Sequence, residues 1–201
     1  MIMTSEAPGK AGGPGPQILI TASQIEARVA ELGRRIREDY QDTPSLRLIG
    51  MLRGACFFVA DLARAIERDV SLDFMRVRSY GSGTENSGEI AVTKDIEEDI
   101  AGLDVLIVED IIDSGRTASC VLQLLERRKP RSLKLAALLS KPSRRVVEIE
   151  PDYLGFEIPD QFVVGYGLDL AERYRNLREI RVMESGAFDS VAQQHTTEPR
   201  P

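Results

Sequence analysis

The stretch from Val105 to Thr117, Val-Leu-Ile-Val-Glu-Asp-Ile-Ile-Asp-Ser-Gly-Arg-Thr, constrains this chain more than any other. Its four leading residues, Val105 to Val108, are all apolar and predict a strand buried on both faces, as in the interior of a parallel sheet. The adjacent carboxylates Glu109 and Asp110 follow at the strand's carboxyl end, with Asp113 close behind. Open α/β sheets place their ligands at that end. Ser114-Gly115-Arg116-Thr117 then opens a helix. Gly115 lets the backbone approach an anion, the helix N-terminus offers N–H groups, and the Ser114 and Thr117 hydroxyls add donors. Carboxylates suited to sugar hydroxyls or Mg²⁺, beside a phosphate cradle, describe a site for a sugar phosphate. Without such a ligand, three crowded carboxylates would repel one another uncompensated.

The rest of the chain alternates strand and helix patterns. Ile25, Val29, Leu32 and Ile36 form a helical stripe, and Ser23 with Glu26 is a capping-box candidate for its start. Leu46 to Leu52 is a short apolar run expected as a buried strand, and Gly54 turns the chain into an amphipathic segment ending near Glu67. Ser71 to Tyr80 reads as a strand, and Gly81 to Glu89, rich in Gly, Ser, Thr and Asn, as a mobile loop. A helix is expected from Thr117 to Arg128, a buried strand from Leu133 to Leu139 and a loop from Ser140 to Arg145. Short strands follow at Tyr153 to Ile158, Phe162 to Gly165 and Ile180 to Met183. The alternation predicts an α/β fold: an open, mostly parallel sheet flanked by helices, with the late strands in a small separate hood lobe.

Four glycines and three prolines between Ala7 and Pro16 make residues 1–16 a flexible leader. The polar residues 186–201 read as a disordered tail, which leaves 17–185 as one domain.

Composition removes several classes of function. Against 26 Lys+Arg stand 32 Asp+Glu, a net charge of −6, so no basic surplus favours nucleic acid or an anionic membrane. No apolar run is long enough for a transmembrane helix, and the N-terminus lacks the apolar core of a secretory signal. The sole histidine, His195, lies in the tail, which argues against a Ser-His-Asp triad or a Cys/His zinc site in the core. Cys56 and Cys120 read as two reduced thiols of a cytoplasmic protein. Leu170 stands where a Gly-x-Gly-x-x-Gly fingerprint starting at Gly165 needs glycine, so dinucleotide binding fails. The acidic run Asp95, Glu97, Glu98 and Asp99 reads as a solvated segment.

The Val105–Thr117 stretch resembles the phosphoribosyl-pyrophosphate motif of type I phosphoribosyltransferases. From about Ile18 to Met183 the chain is similar to one branch of them, the bacterial hypoxanthine-guanine phosphoribosyltransferases. The supporting segments are Leu48 to Gly54, Ser79 to Gly83, Leu139 to Arg145 and Phe162 to Asp169. The resemblance implies Mg²⁺-dependent transfer of a 5-phosphoribosyl group from phosphoribosyl pyrophosphate to N9 of a 6-oxopurine. It also implies a cytoplasmic homodimer or homotetramer.

The same resemblance implies roles for individual residues. Glu109 and Asp110 would hold the ribose hydroxyls and, directly or through water, Mg²⁺, with Asp169 helping to bind the metal. Asp113 would face purine N7 and manage its proton. Ser114, Gly115, Arg116 and Thr117 would wrap the 5′-phosphate, and Arg53, Gly54 and Arg175 would bind pyrophosphate. Lys141, a pure donor, would meet the purine O6, Phe162 would stack on the ring and the Val163 backbone would meet its edge, with Asp169 also at the purine site. The segment from Ser79 and Tyr80 through Glu89 would be a lid. Taken singly, Lys141 reads as a solvated loop lysine and Phe162 as a core residue. Relatives usually carry Lys at Arg53, after a peptide bond that can be cis. Two rival functions stay open: a ligand sensor that binds nucleic acid, and a transferase for xanthine or a pyrimidine.

Overall fold

The computed structural model describes residues 17–79 and 90–183. The leader, the tail and all of the expected lid except Ser79 lie outside these residues.

The chain runs β1 (Gln17–Ile20), α1 (Ala22–Asp39), β2 (Leu46–Met51), α2 (Cys56–Ala65), β3 (Val70–Ser79) and β4 (Ile90–Lys94). It continues β5 (Asp104–Ile112), α3 (Arg116–Glu126), β6 (Ser132–Ser140), a 3₁₀ turn at Pro142–Arg144, β7 (Tyr153–Glu157), β8 (Val163–Val164) and β9 (Ile180–Val182). The main sheet has six strands in the order β4-β3-β2-β5-β6-β7, parallel except for β4 at the edge. Strand β5 lies inside it, as its apolar run predicts.

Helices cover both faces. On β5, Leu106 and Val108 pack with the α1–α2 side, whereas Val105 and Ile107 pack with the α3 side. The expected stripe of α1 is real: Ile25, Val29, Leu32 and Ile36 are all buried. Each such side chain removed from water contributes roughly 1.5–3 kcal/mol. Leu46 and Leu48 of β2 face the same core.

Three details differ from the sequence reading. The capping box of α1 is Thr21 with Gln24, not Ser23 with Glu26: the Gln24 amide donates to Thr21 Oγ1, and the Thr21 amide to Gln24 Oε1 at 2.9 Å. Two such pairs overlap here two residues apart, and the strand end at Ile20 selects the earlier one. Strand β5 runs past Val108 to Ile112, so Glu109 and Asp110 are part of the strand. Finally, Tyr153–Glu157 joins the main sheet beside β6, and the hood is instead β1-β9-β8, all antiparallel. The unexpected strand β1 thus pairs with the last described strand, Gln17 opposite Val182.

Candidate active site

The carboxyl ends of β2, β5 and β6 and the hood enclose a cleft of about 370 Å³. It is lined by Arg53, Gly54, Glu109, Asp110, Asp113, Thr117, Lys141, Phe162, Val163, Asp169 and Arg175, with Met51, Leu52, Val77, Ile111 and Leu168 between them. Residues separated by more than a hundred positions in sequence therefore share one space. Ser114, Gly115 and Arg116 are not among the lining residues; they form the turn that presents Thr117. A larger cleft of about 650 Å³ lies between α1, α2 and Leu177, but it holds none of these groups.

The acidic pair sits where the pleat of β5 changes. Beyond Asp110 the alternation reverses, with Ile111 packing on the α1–α2 core and Ile112 on the α3 core. Two neighbours that strict alternation would send to opposite faces can then both reach the cleft. Burial pushes Glu109 well above the usual carboxylate range, and the Asp110 charge adds to it. Burial likewise pushes Asp110 up to about 6, against the Ile111 N–H, which donates to it at 3.0 Å, and the positive charge of Arg175. Such a pair is short of positive charge and of donors. Hard oxygen ligands of this kind suit Mg²⁺, which binds through one or two carboxylates, with water and substrate phosphates completing its shell. Among the described residues, no three His, Cys, Asp or Glu side chains are grouped so as to hold a metal ion by themselves.

Below the pair, Gly115 caps α3 with φ +82°, a left-handed conformation that glycine adopts without penalty. A Cβ there would lie 2.7 Å from the Val147 carbonyl oxygen. No side chain caps this helix, and the Arg116 amide reaches Ser114 Oγ only at 3.4 Å. An uncapped first turn of this kind can hold an anion.

On the opposite wall the Leu52–Arg53 peptide is cis, as the resemblance implies. Gly54 follows, and any Cβ on it would collide with the Asp110 carboxylate. A Cβ on Gly167 would in turn collide with the Gly54 carbonyl. The Gly54 and Gly167 backbones meet at a distance only glycine permits, with the Asp110 side chain packed against Gly54. The Arg53 guanidinium pairs with Glu172. Arg175 donates to the Gly167 carbonyl at 2.7 Å and pairs with Asp169 at 2.8 Å. The other Asp169 oxygen accepts from the Glu172 amide.

Lys141 is the largest departure from its single-residue reading. It is buried, 7% exposed, and its ammonium stands 3.8 Å from the Asp160 carboxylate. Its amide donates to the Ile112 carbonyl, which ties it to the end of β5. Phe162 is 40% exposed at the cleft wall, not a core residue, while Val163 beside it is buried. Ser79 ends β3 opposite Ile90, and Tyr80 lies outside the described residues. Sequence reasoning assigned nothing to Arg144 or Asp160, although Arg144 donates to Asp113 at 2.8 Å and to Asp160 at 3.4 Å. Their spacing from the motif carries no periodic signal that could have found them.

A family model for the phosphoribosyl transferase domain matches residues 19–171. The chain belongs to the phosphoribosyltransferase family. Within it, the chain is 51% identical over 162 residues to the hypoxanthine phosphoribosyltransferase of Escherichia coli K12, covering 80% of this chain and 91% of that relative. It is 48% identical over 174 residues to the hypoxanthine-guanine phosphoribosyltransferase of Bacillus subtilis, covering 87% of this chain and 96% of the other. The solved hypoxanthine-guanine phosphoribosyltransferase of Bacillus anthracis superposes with a TM-score of 0.80 at 43% identity, over 84% of this chain and 98% of that one. This solved relative shares the fold as well as the sequence pattern.

Proposed function

We propose that this phosphoribosyltransferase transfers the 5-phosphoribosyl group from phosphoribosyl pyrophosphate to N9 of hypoxanthine or guanine, giving IMP or GMP and pyrophosphate. The observation that carries the reading is a single cleft joining the β5–α3 acidic and phosphate-binding turn to buried Lys141 and to Phe162. A ring stacked on Phe162 and edged by Val163 would present O6 to Lys141 and N7 to Asp113. Asp113 would take the N7 proton as the bond at N9 forms, a role typically worth about 10²- to 10⁴-fold. Glu109 and Asp110 would grip the ribose hydroxyls, and the first turn of α3 the 5′-phosphate. Arg175 and the Arg53–Gly54 backbone would receive pyrophosphate. Mg²⁺, bound by Glu109 and Asp110 directly or through water and with Asp169 reaching its water shell, would supply positive charge for the departing pyrophosphate.

Lys141 also explains the expected choice of base. It offers only donors, so adenine's 6-amino group would meet another donor and strand both. The test is a panel of hypoxanthine, guanine, xanthine, adenine and uracil with phosphoribosyl pyrophosphate and Mg²⁺. IMP and GMP should form, adenine should go essentially unused, and EDTA should abolish turnover. Adenine used as fast as hypoxanthine would overturn the base assignment; no turnover with any base would favour a ligand sensor.

Among the described residues no helix is long and apolar enough to cross a membrane. We assign the enzyme to the cytoplasm, supported by its two unpaired cysteines, and expect a homodimer or homotetramer.

A further inference from the structure

Asp113 is held from two directions by neighbouring arginines of the segment that follows β6. Arg145 donates to the Asp113 backbone carbonyl at 2.9 Å while its other arm donates to Ser140 Oγ at 2.7 Å. The amides of Val146 and Val147 both donate to the Ser114 carbonyl. Backbone at the end of the acidic motif is thus pinned by residues 145–147. The carboxylate itself is left to Arg144, whose Nε donates to Asp113 Oδ1 at 2.8 Å. Arg144 engages that one oxygen, which leaves Oδ2 for a base in the cleft.

Arg144 is held in turn. Its Nη1 donates to Asp160 Oδ2 at 3.4 Å, and Asp160 Oδ1 lies 3.8 Å from the Lys141 ammonium. The side chains of Asp113, Arg144 and Asp160 are 44%, 51% and 50% exposed. Ion pairs so open to water contribute little to folding. What they do contribute is direction, because the planar guanidinium fixes two carboxylates at once. Asp160 stands two residues before Phe162, so the chain that carries the stacking ring also carries this bridge.

We propose that Arg144, anchored by Asp160, is a positioning residue that fixes the Asp113 carboxylate, and that Asp160 links it to base recognition at Lys141. The inference rests on the reading of Asp113 as the group that handles N7. A base that can swing away from its proton loses much of its effect, since small misplacements of reacting groups are costly. Without Asp160, Arg144 would keep only its pairing with Asp113, and the buried Lys141 ammonium would lose the carboxylate beside it.

The test is single-turnover kinetics of the full chain with hypoxanthine, phosphoribosyl pyrophosphate and Mg²⁺, in two backgrounds. Arg144→Gln should slow the chemical step about tenfold while hypoxanthine KM moves less than about threefold. Arg144→Lys should recover part of the rate, keeping the charge without the fork. In the Asp113→Asn background the same Arg144→Gln change should add less than about twofold, because the group it positions is gone. Equal losses in both backgrounds would overturn the proposal, since Arg144 would then act independently of Asp113. An unchanged rate for Asp113→Asn alone would overturn the underlying reading instead. Asp160→Asn should slow the chemical step as Arg144→Gln does and also raise hypoxanthine KM; no change in either would remove Asp160 from the bridge. Thermal unfolding of the Asp113 and Arg144 variants should match wild type, as expected for half-exposed side chains.

Discussion

The Lys141 ammonium is buried on a turn whose other residues stand half in water, and this placement makes a sharp prediction about base choice. Gln at this position carries both a donor and an acceptor, so it can meet O6 with its amide N–H or an amino group with its carbonyl. Lys141→Gln should therefore relax discrimination at purine position 6. Stranding a buried polar group costs about 1–3 kcal/mol, or roughly 5- to 150-fold in selectivity. The quantity to measure is the hypoxanthine-to-adenine ratio of kcat/KM, with thermal unfolding as a control. A ratio that stays put in a stable variant would place base choice elsewhere. At this scale the sequence showed residue types but not their environments. Lys before Pro is usually solvated, and only the folding of Phe162, Asp160 and the end of β5 around Lys141 makes it a buried donor.

Turning from residues to elements, the β5–α3 junction carries a sharp geometric constraint at Gly115. Gly115→Ala should raise KM for phosphoribosyl pyrophosphate by about tenfold or more while hypoxanthine KM moves less. The left-handed backbone costs a non-glycine residue roughly 1–2 kcal/mol, and the added carbon crowds the Val147 carbonyl and Ile149. Equal changes in both KM values would mean that the turn does not act as a phosphate cradle. This junction was legible from sequence because strand, acidic pair and Ser-Gly-x-Thr all lie within thirteen consecutive residues. Strand β1 was not, because four residues carry almost no periodicity and its partner lies some 160 positions away, Gln17 opposite Val182. The placement of Tyr153–Glu157 was equally hidden. A short apolar segment looks the same whether it pairs in a hairpin or in parallel with β6. The cleft residues on the motif could be read directly; those on the far wall came only through resemblance, and Arg144 and Asp160 through neither.

Across the whole molecule, stability and chemistry occupy opposite ends of β5. Asp104 opens the strand and Glu109 stands five residues on, roughly 17 Å away along an extended chain. The Asp104 carboxylate accepts from Arg131, from Ser132 Oγ at 2.6 Å and from Thr43 Oγ1 at 2.7 Å, joining the approach to β2 to the starts of β5 and β6. The Arg131 guanidinium, with these hydroxyls, holds Asp104 well below the usual carboxylate range despite its burial. A depressed folded-state value means that the unfolded chain binds the proton more readily. The stabilisation is therefore complete above the unfolded pKa, near 3.9, and is lost as pH falls through the lower folded value. Asp104→Asn replaces acceptors with an amide that must turn one donor toward Arg131, at a cost of about 2 kcal/mol near neutral pH. For a domain of this size that lowers Tm by roughly 4–8 °C. The gap between wild type and variant should hold from pH 7 to pH 5 and narrow below about pH 4. Meanwhile kcat and both KM values at pH 7, measured below the variant's unfolding range, should match wild type. A gap that does not depend on pH would show that Asp104 stabilises by packing and not by its charge. A loss of activity with folding intact would show that strain at the start of β5 reaches its acidic end.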